Sequence, residues 1–256
     1  MNYTFGDSAI ASERLAIVGH VMAPAMRSML SRVDASSVRT AIDLGCGPGH
    51  TTRRLAECFP NASVVGIDLS EAYLAEAAAN APDQCSFVVG DVGAAPLPGA
   101  PADVVYARYL LSHLDDMEGY VTRWCAAVAP GGHLVLEEPE AIDSSETDFA
   151  LYERVSSGLV QSAGGVFYAG PLIAAVPTPA GFERVHDDTF SIDVTEGEAA
   201  AMFWRNARAW DRDALKRAGY NADDVMALAD RLQVREHSPT RGLFDWRQRQ
   251  TVFKRV

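Results

Sequence analysis

The strongest constraint on the fold of this 256-residue chain is a regular alternation of short apolar runs with helical patterns. The apolar runs lie at 38–44, 62–68, 85–91, 102–114 and 133–140, the fourth being strand-like only in its first part. Helical patterns separate them at 50–59, 70–81 and 117–129. Short, continuously apolar strands between helices indicate βαβ units and a parallel sheet covered on both faces.

The regions on either side of this alternation complete the predicted architecture. Residues 8–33 have a helical pattern that breaks at Pro24, because proline removes a helix hydrogen bond. After residue 140, the patterns are helical at 144–162, 171–182 and 195–235 and strand-like at 184–193 and 247–256. We therefore predict an α/β protein with a doubly wound, mostly parallel seven-stranded sheet and a helical cap. Its predicted parts are an N-terminal helical lid (1–33), a ligand-binding α/β core (34–143), a cap insertion (144–170) and the remainder of the core (171–256), with a helical insertion at about 195–235.

Composition limits the classes of partner. The formal net charge is −12, which disfavours the phosphate contacts that dominate nucleic-acid binding. The four cysteines form no C-x-x-C pair and suggest reduced thiols in a cytoplasmic protein. The first residues lack the pattern of a signal peptide, and no stretch is apolar enough to span a membrane. We expect a small-molecule substrate, no nucleic-acid or membrane partner, no bound metal, and a monomer or homodimer.

A glycine-rich loop follows the first strand in the sequence AIDLGCGPGHTT (41–52). In a doubly wound sheet, ligands bind beyond the carboxyl ends of the strands, which is where this loop lies. A dinucleotide site would need a third glycine at position 50, which is His50, and Asp43 would repel a pyrophosphate. A P-loop would need a lysine that this loop lacks.

The remaining pattern, D-x-G-x-G-x-G, resembles motif I of the class I S-adenosylmethionine-dependent methyltransferases. Two further segments are similar to that family: VVGIDLS places Asp68 at the end of the second strand, and VVGDV places Asp91 after the third. The segments 102–114 and 128–140 resemble its fourth-strand and fifth-strand motifs. The resemblance covers about residues 38–140 and, more loosely, 180–185.

The resemblance implies S-adenosylmethionine as the cofactor and assigns its contacts. Asp43 suits a cationic amino group, Asp68 would accept from both ribose hydroxyls, and Asp91 from the adenine amino group. Asp68 could instead cap the following helix, although Ser70 could fill that role. The residues predicted to bind the cofactor are Asp43, Gly45, Gly47, Gly49, Asp68, Leu69, Asp91, Val92 and Arg108.

Candidate catalytic groups lie at the ends of the fourth and fifth strands. They are His113, Glu137, Glu138 and Glu140, of which we predict His113 and Glu138 to be catalytic. Adjacent residues on a strand point to opposite faces, so at most one of Glu137 and Glu138 faces the pocket. Tyr3 and Arg14 lie in the predicted lid. The cap is rich in aromatic residues, and we predict that Tyr152, Phe167, Tyr168 and Trp204 bind the substrate.

The substrate class follows mainly from motifs that the sequence lacks. YARY stands where methyltransferases of DNA amino groups carry [DN]-P-P-[FYW], and the Pro-Cys pair of cytosine C5 enzymes does not follow the fourth strand. We predict methyl transfer to oxygen, nitrogen or carbon of a small, partly apolar metabolite, as in natural-product biosynthesis. Two alternatives stay open: a cyclase that uses the same fold and cofactor without methyl transfer, and a non-catalytic nucleotide-binding module.

Overall fold

The structure is a computed structural model that describes residues 8–79 and 81–256. In this part of the chain, seven strands form one sheet. The strands are β1 (Thr40–Leu44), β2 (Ser63–Asp68), β3 (Cys85–Val89), β4 (Ala102–Arg108), β5 (Val128–Asp143), β6 (Phe182–Ser191) and β7 (Asp245–Arg255).

The helices fall into those of the sheet layers and those of the cap. The first group comprises α1 (Ala9–Val21), α2 (Ala23–Leu30), α3 (His50–Cys58), α4 (Glu71–Ala79), α5 (Met117–Ala126) and α7 (Gly170–Ala175). The second group, which we call the helical cap, comprises α6 (Thr147–Ser162), α8 (Glu196–Ala209), α9 (Arg212–Arg217) and α10 (Ala222–Gln233). A short 3-10 turn, Leu111–His113, follows β4.

The strand order is β3-β2-β1-β4-β5-β7-β6, which confirms the predicted doubly wound sheet. Strands β1 to β5 pair in parallel, and β7 pairs antiparallel with both β5 and β6. The chain leaves β1 toward β2 on one side and returns to β4 on the other. The carboxyl ends of β1 and β4 therefore border the crevice in which such sheets bind ligands.

The sheet is covered on both faces, as its continuously apolar strands predict. On one face, Met26 and Met29 of α2 and Leu55 of α3 pack with Val104 and Val135. On the other face, Trp124 of α5 and Ile173 of α7 pack with alternate residues of the same strands, among them Val105 and Leu134.

The helical cap has an apolar core of its own. Phe149, Phe203 and Leu228 lie in it, and the core continues into Ile142 and Trp246. These two residues are paired across β5 and β7 at the end of the sheet where β5 finishes. The cap thus covers the same edge of the sheet as the glycine-rich loop.

Helix α1 bridges the two parts. The Ser12 hydroxyl hydrogen-bonds to the carboxylate of Glu76 on α4, with oxygen–oxygen distances of 2.5 and 2.7 Å. Glu13 forms an ion pair of 3.2 Å with Arg205 on α8 of the cap. The predicted break near Pro24 is present, since α1 ends at Val21 and Pro24 lies in the first turn of α2.

Several element boundaries differ from the sequence-based prediction. Strand β5 begins at Val128 and includes Pro130 to Gly132, which we had expected to separate helix from strand. The register with β4 shifts between the pairs Ala102–Val128 and Val104–His133, so these residues form a bulge within the strand. The helical pattern at 195–235 is three helices, because Asp211 and Asn221 cap new starts.

Candidate functional site

The glycine-rich loop connects β1 to α3 in left-handed conformations. Gly45, Gly47 and Gly49 have φ angles of 65°, 52° and 78°, a region that side chains with a Cβ rarely adopt. A Cβ built at Gly49 would lie 2.9 Å from Cβ of Ala77, and one at Gly45 would lie 3.0 Å from Leu110. Residues without a Cβ are therefore required here, because the loop backbone passes close to α4 and to the turn after β4.

Asp43 is buried at the end of β1 and its carboxylate is bound to the first turn of α3. Oδ2 accepts hydrogen bonds from the hydroxyls of Thr51 (2.5 Å) and Thr52 (2.6 Å). Burial raises the pKa of Asp43 to about 6, although these hydroxyls and the charge of Arg108 act in the opposite direction. Asp43 therefore anchors the helix that follows the loop, a contact that the resemblance did not predict.

Asp68, at the end of β2, connects two neighbouring loops. Its Oδ2 accepts from the backbone N–H of Gly47 (2.8 Å), and its Oδ1 accepts from that of Ser70 (2.9 Å). The Ser70 hydroxyl accepts from the backbone N–H of Tyr73, so Ser70 caps α4 as predicted. The next residue, Leu69, is 56% exposed and presents an apolar surface beside this carboxylate.

Asp91 and Val92 follow β3 at the same edge of the sheet. Asp91 is exposed, and its Oδ1 accepts from the backbone N–H of Gly93 (2.8 Å). Val92 packs into the core, and its carbonyl oxygen accepts from Trp124 Nε1 (2.9 Å). The carboxylate is thus at the surface, while the valine mainly fixes the loop to α5.

Arg108 ends β4 among buried acidic groups. Its positive charge acts on Asp43 and on Glu137, whose pKa is raised by burial. Glu137 Oε2 accepts from the Tyr106 hydroxyl, and its Oε1 accepts from Gln250 Nε2 at 2.7 Å. This network lies on the face of the sheet that α2 covers, because Gln250 also donates to the carbonyl oxygen of Ala25.

Glu138 points to the opposite face, toward the turn that follows β4. Its side chain is 0% exposed, and Oε1 accepts from the backbone N–H groups of Leu110 and Leu111, both at 2.7 Å. Burial raises the pKa of Glu138 to about 8, although these N–H groups favour the ionised form. Burial therefore favours the protonated carboxyl group, and the two N–H groups favour the carboxylate.

His113 ends this turn beside α1. Burial and the positive charge of Arg14 lower the pKa of His113 to about 4, so the ring is neutral at pH 7. Arg14 is 8% exposed, which places a guanidinium charge inside the protein next to the ring. Tyr3, the other residue predicted in the lid, lies outside the described residues.

Further contacts of α1 close it over the glycine-rich loop. A Cβ at Gly47 would lie 3.7 Å from Leu15, and one at Gly19 would lie 3.0 Å from Cβ of His50. Burial and the charge of Arg53 lower the pKa of His50 to about 4. Helix α1 thus packs against both the glycine-rich loop and the start of α3.

The four aromatic residues predicted to bind substrate do not converge on one point. Tyr152 is enclosed in the cap core, stacked on Phe203 at a centroid distance of 3.9 Å. The Tyr152 hydroxyl also accepts from Asn206 Nδ2 at 2.6 Å. Trp204 lies on the outer side of α8, where its Nε1 donates to Glu236 at 2.5 Å. Both rings serve packing within the cap in this conformation.

Phe167 and Tyr168 lie in the loop between α6 and α7, next to the turn that carries His113. The backbone N–H of Val166 donates to the carbonyl oxygen of Ser112 at 3.0 Å. The Tyr168 hydroxyl donates to Glu153 at 2.9 Å, which ties this loop to α6. Of the four aromatic residues, these two thus directly follow Val166, a residue that binds the candidate catalytic turn.

Glu140 has a structural partner. It forms a two-pronged ion pair with Arg249 on β7, with distances of 2.9 and 3.0 Å. Within residues 8–79 and 81–256, no group of three or more histidine, cysteine, aspartate or glutamate side chains is placed to hold a metal ion. In the same residues, no helix combines the length and the apolar character needed to cross a membrane.

Sequence reasoning missed Thr51, Thr52 and the strained residue Tyr109, described below. Only His50 separates the two threonines from the last glycine, so their hydroxyls in the first turn of the helix were a sequence signal for a buried hydrogen-bond partner. Nothing in the local sequence distinguishes Tyr109.

The strand order, the glycine-rich loop and the acidic residues after β2 and β3 agree with the class I methyltransferase fold. Residues 41–132 match the family model described as a methyltransferase domain.

Curated relatives match about half of the chain. The trans-aconitate 2-methyltransferase of Paracidovorax citrulli is 42% identical over 113 residues, which are 44% of this chain and 43% of that protein. The enzyme of the same name from Methylobacterium radiotolerans is 35% identical over 152 residues, or 59% and 53% of the two chains. The chain thus matches about half the length of these relatives.

Solved structures support the fold over the whole chain. A Haloferax volcanii methyltransferase, solved with a methyltransferase activator, has a TM-score of 0.63 and 16% identity and covers 100% of this chain and 99% of its own. Coclaurine N-methyltransferase, solved with N-methylheliamine and S-adenosylhomocysteine, has a TM-score of 0.57 and 13% identity, with 91% and 72% coverage. At these identities the likeness concerns the fold.

Proposed function

We propose that the chain is an S-adenosylmethionine-dependent methyltransferase whose acceptor is a carboxylate of a small organic acid. The observation that carries the first half is the hydrogen bond from Gly47 to Asp68, which fixes a left-handed glycine loop against an acidic strand end. The second half rests on the protonation states of the groups at the ends of β4 and β5.

The residues around the glycine-rich loop fit this cofactor. Among the described residues, a Cβ at Gly47 would meet Leu15 alone within 4 Å, so the loop offers an open backbone surface under α1. Asp68 retains lone pairs beyond those bound by the two backbone N–H groups, and these suit the ribose hydroxyls. The exposed side chain of Leu69 and the surface carboxylate of Asp91 suit the adenine ring and its amino group. Asp43 and Arg108 would face the amino-acid end of S-adenosylmethionine.

When bound, S-adenosylmethionine supplies a methyl group on a positively charged sulfur. The chain itself excludes water from the crevice through α1 and the cap, which favours a reaction in which charge is neutralised. It also positions the acceptor in line with the methyl group. Neither task requires a covalent bond to the protein.

The acceptor class is inferred from the weak basicity of the two predicted catalytic positions. His113 has a pKa of about 4 and is a weak base, and burial, which raises the pKa of Glu138 to about 8, favours its protonated form. A carboxylate needs no base, because its usual pKa is roughly 4 and it arrives ionised. His113 then orients the acceptor as a neutral hydrogen-bonding group.

Two further observations support this assignment. The two relatives described above are named for trans-aconitate, itself a carboxylic acid. Phe167 lies beside the turn that carries His113 and supplies an apolar wall for the remainder of the acceptor. Tyr152 and Trp204 support that wall through the packing of the cap.

The test has a binding arm and a turnover arm. Calorimetry should show binding of S-adenosylhomocysteine and no binding of NAD; the opposite result would contradict the cofactor assignment. Turnover is then measured with trans-aconitate and a panel of small carboxylic acids, each beside its primary amide. We expect methyl esters from the acids and no product from the amides, identified by mass spectrometry.

Methylation of amines or phenols but of no acid would contradict the acceptor class while leaving the cofactor assignment intact. Conversion of a substrate without consumption of S-adenosylmethionine would instead support the cyclase alternative. A mass spectrum of the protein as purified would identify a retained cofactor or product.

A further inference from the structure

The turn at residues 109–113 is the meeting point of the elements that surround the candidate site. Leu110 packs against the glycine-rich loop, since a Cβ at Gly45 would lie 3.0 Å from its side chain. The carbonyl oxygen of Ser112 accepts from Val166 in the loop between α6 and α7. A Cβ at Gly165 would lie 2.4 Å from the same oxygen, so this loop lies directly against the turn. Any shift of the turn would therefore move both loops.

The turn begins with a strained residue. Tyr109 has a φ of 55°, a left-handed conformation that is uncommon for a residue with a bulky side chain. Such a conformation costs on the order of 1–3 kcal/mol and persists only where surrounding contacts hold it. Part of the support comes from the Tyr109 side chain, whose hydroxyl lies 3.2 Å from Gln248 Oε1 and 3.4 Å from Met22 Sδ.

Glu138 holds the strained turn from the side of β5. Its Oε1 binds the N–H groups of the two residues that directly follow Tyr109, at 2.7 Å each. These are short for N–H to oxygen hydrogen bonds, and their acceptor is wholly buried. Because β5 is a central strand between β4 and β7, the acceptor is held on a rigid element.

We propose that Glu138 is a positioning residue that holds turn 109–113 and, through it, sets the glycine-rich loop and the 165–166 loop relative to each other. Oε1 of its carboxyl group binds the backbone of the turn, and the whole side chain is buried. It thus acts on the reaction through His113 and Leu110 and does not exchange a proton with the acceptor. This assignment replaces the catalytic role predicted for Glu138 from sequence.

Two conservative variants distinguish a positioning role of Glu138 from a role as general base. E138Q keeps the acceptor oxygen at the same reach but removes the basic group. E138D keeps the carboxyl group but shortens the side chain by one methylene, which withdraws it from the turn. The matched control is E140Q, a carboxylate on the same strand that pairs with Arg249 rather than with the turn.

Amide hydrogen exchange at Leu110 and Leu111 gives a readout independent of any substrate. We expect wild-type protection in E138Q and E140Q, and exchange faster by about tenfold or more in E138D, since a hydrogen bond to this group is lost. Unchanged protection in E138D would overturn the proposal. Exchange at Val64 in β2, a strand that β1 separates from β4, reports whether each variant keeps its fold.

The kinetic arm rests on the proposed function. E138D should lose kcat by about tenfold or more, and E138Q should recover most of that loss. Loss of turnover in E138Q with retention in E138D would show that Glu138 acts as a base and would overturn the positioning role. Failure of the wild type to bind S-adenosylhomocysteine would contradict the proposed function alone, because the exchange experiment would still test the positioning role.

Discussion

Replacing Gly49 by alanine should lower the free energy of unfolding by about 2–5 kcal/mol, from two separable causes. Gly49 has a φ of 78°, and placing a residue with a Cβ in this left-handed region costs roughly 1–2 kcal/mol. The new Cβ would also lie 2.9 Å from Cβ of Ala77 and 3.0 Å from the ring of Phe87. Because α4 and β3 hold those two side chains, relief requires backbone movement, and such overpacking costs about 1–3 kcal/mol.

Gly131 provides a matched control for the conformational cost of a Cβ at positive φ. Its φ is 77°, and outside its chain neighbours no atom of the described residues lies within 4 Å of a Cβ built there. Gly131→Ala should therefore carry only the conformational cost of about 1–2 kcal/mol. The difference between the two variants measures the steric contribution at the start of α3.

Urea unfolding followed by circular dichroism measures both variants on the same scale, because the slope against denaturant should not change. We expect Gly49→Ala to be less stable than Gly131→Ala by about 1–3 kcal/mol. Equal destabilisation by the two substitutions would refute the steric argument. It would mean that α4 and Phe87 adjust without cost.

Three further outcomes follow from the described contacts and pKa values. Glu138 has a usual pKa of 4.5 and one of about 8 in the fold, so the folded state holds more protons in this window and stability falls as pH rises through it; E138Q should remove that fall, about 3–4 kcal/mol between pH 5 and pH 8 in urea unfolding. His113 has the opposite sign: its pKa is lowered from 6.5 to about 4, so stability is lost as pH falls through this window, and His113→Asn should lessen that loss, whereas an unchanged profile would contradict the burial of the ring. Asp68→Ala should weaken binding of S-adenosylhomocysteine by roughly 10- to 100-fold in calorimetry, and wild-type affinity would exclude Asp68 as the ribose acceptor.

The local sequence was sufficient for the sheet and for the glycine-rich loop. Continuous apolar runs predict buried parallel strands because such strands have both faces covered, and glycine at positions of positive φ is a local requirement. The same local reasoning misplaced the start of β5. Pro130 to Gly132 read as a break between elements, but pairing with β4 resumes on either side of them and turns the segment into a bulge.

The site was less predictable, because its contacts join residues far apart in the chain. Asp43 was correctly placed at the end of β1, but its partners Thr51 and Thr52 became evident only from the geometry of α3. Glu138 was placed near the crevice from its strand position, yet the direction of its carboxyl group depends on the turn after β4, about thirty residues earlier. The sequence alone could not distinguish aromatic residues of the cap core from residues that line a substrate pocket, because both environments favour the same side chains.

The position of β7 determines when this fold can be completed. Residues 245–255 insert between β5 and β6, so β6 reaches the sheet only through a strand that is synthesised after it. β7 also carries Gln250, the donor to buried Glu137, and Trp246, which closes the cap core. Until those residues leave the ribosome, the nascent chain exposes one edge of β5, an acidic side chain without its Gln250 partner and the open underside of the cap. β7, the last of the described strands in chain order, is therefore the one that joins sheet, buried polar network and cap into one cooperative unit.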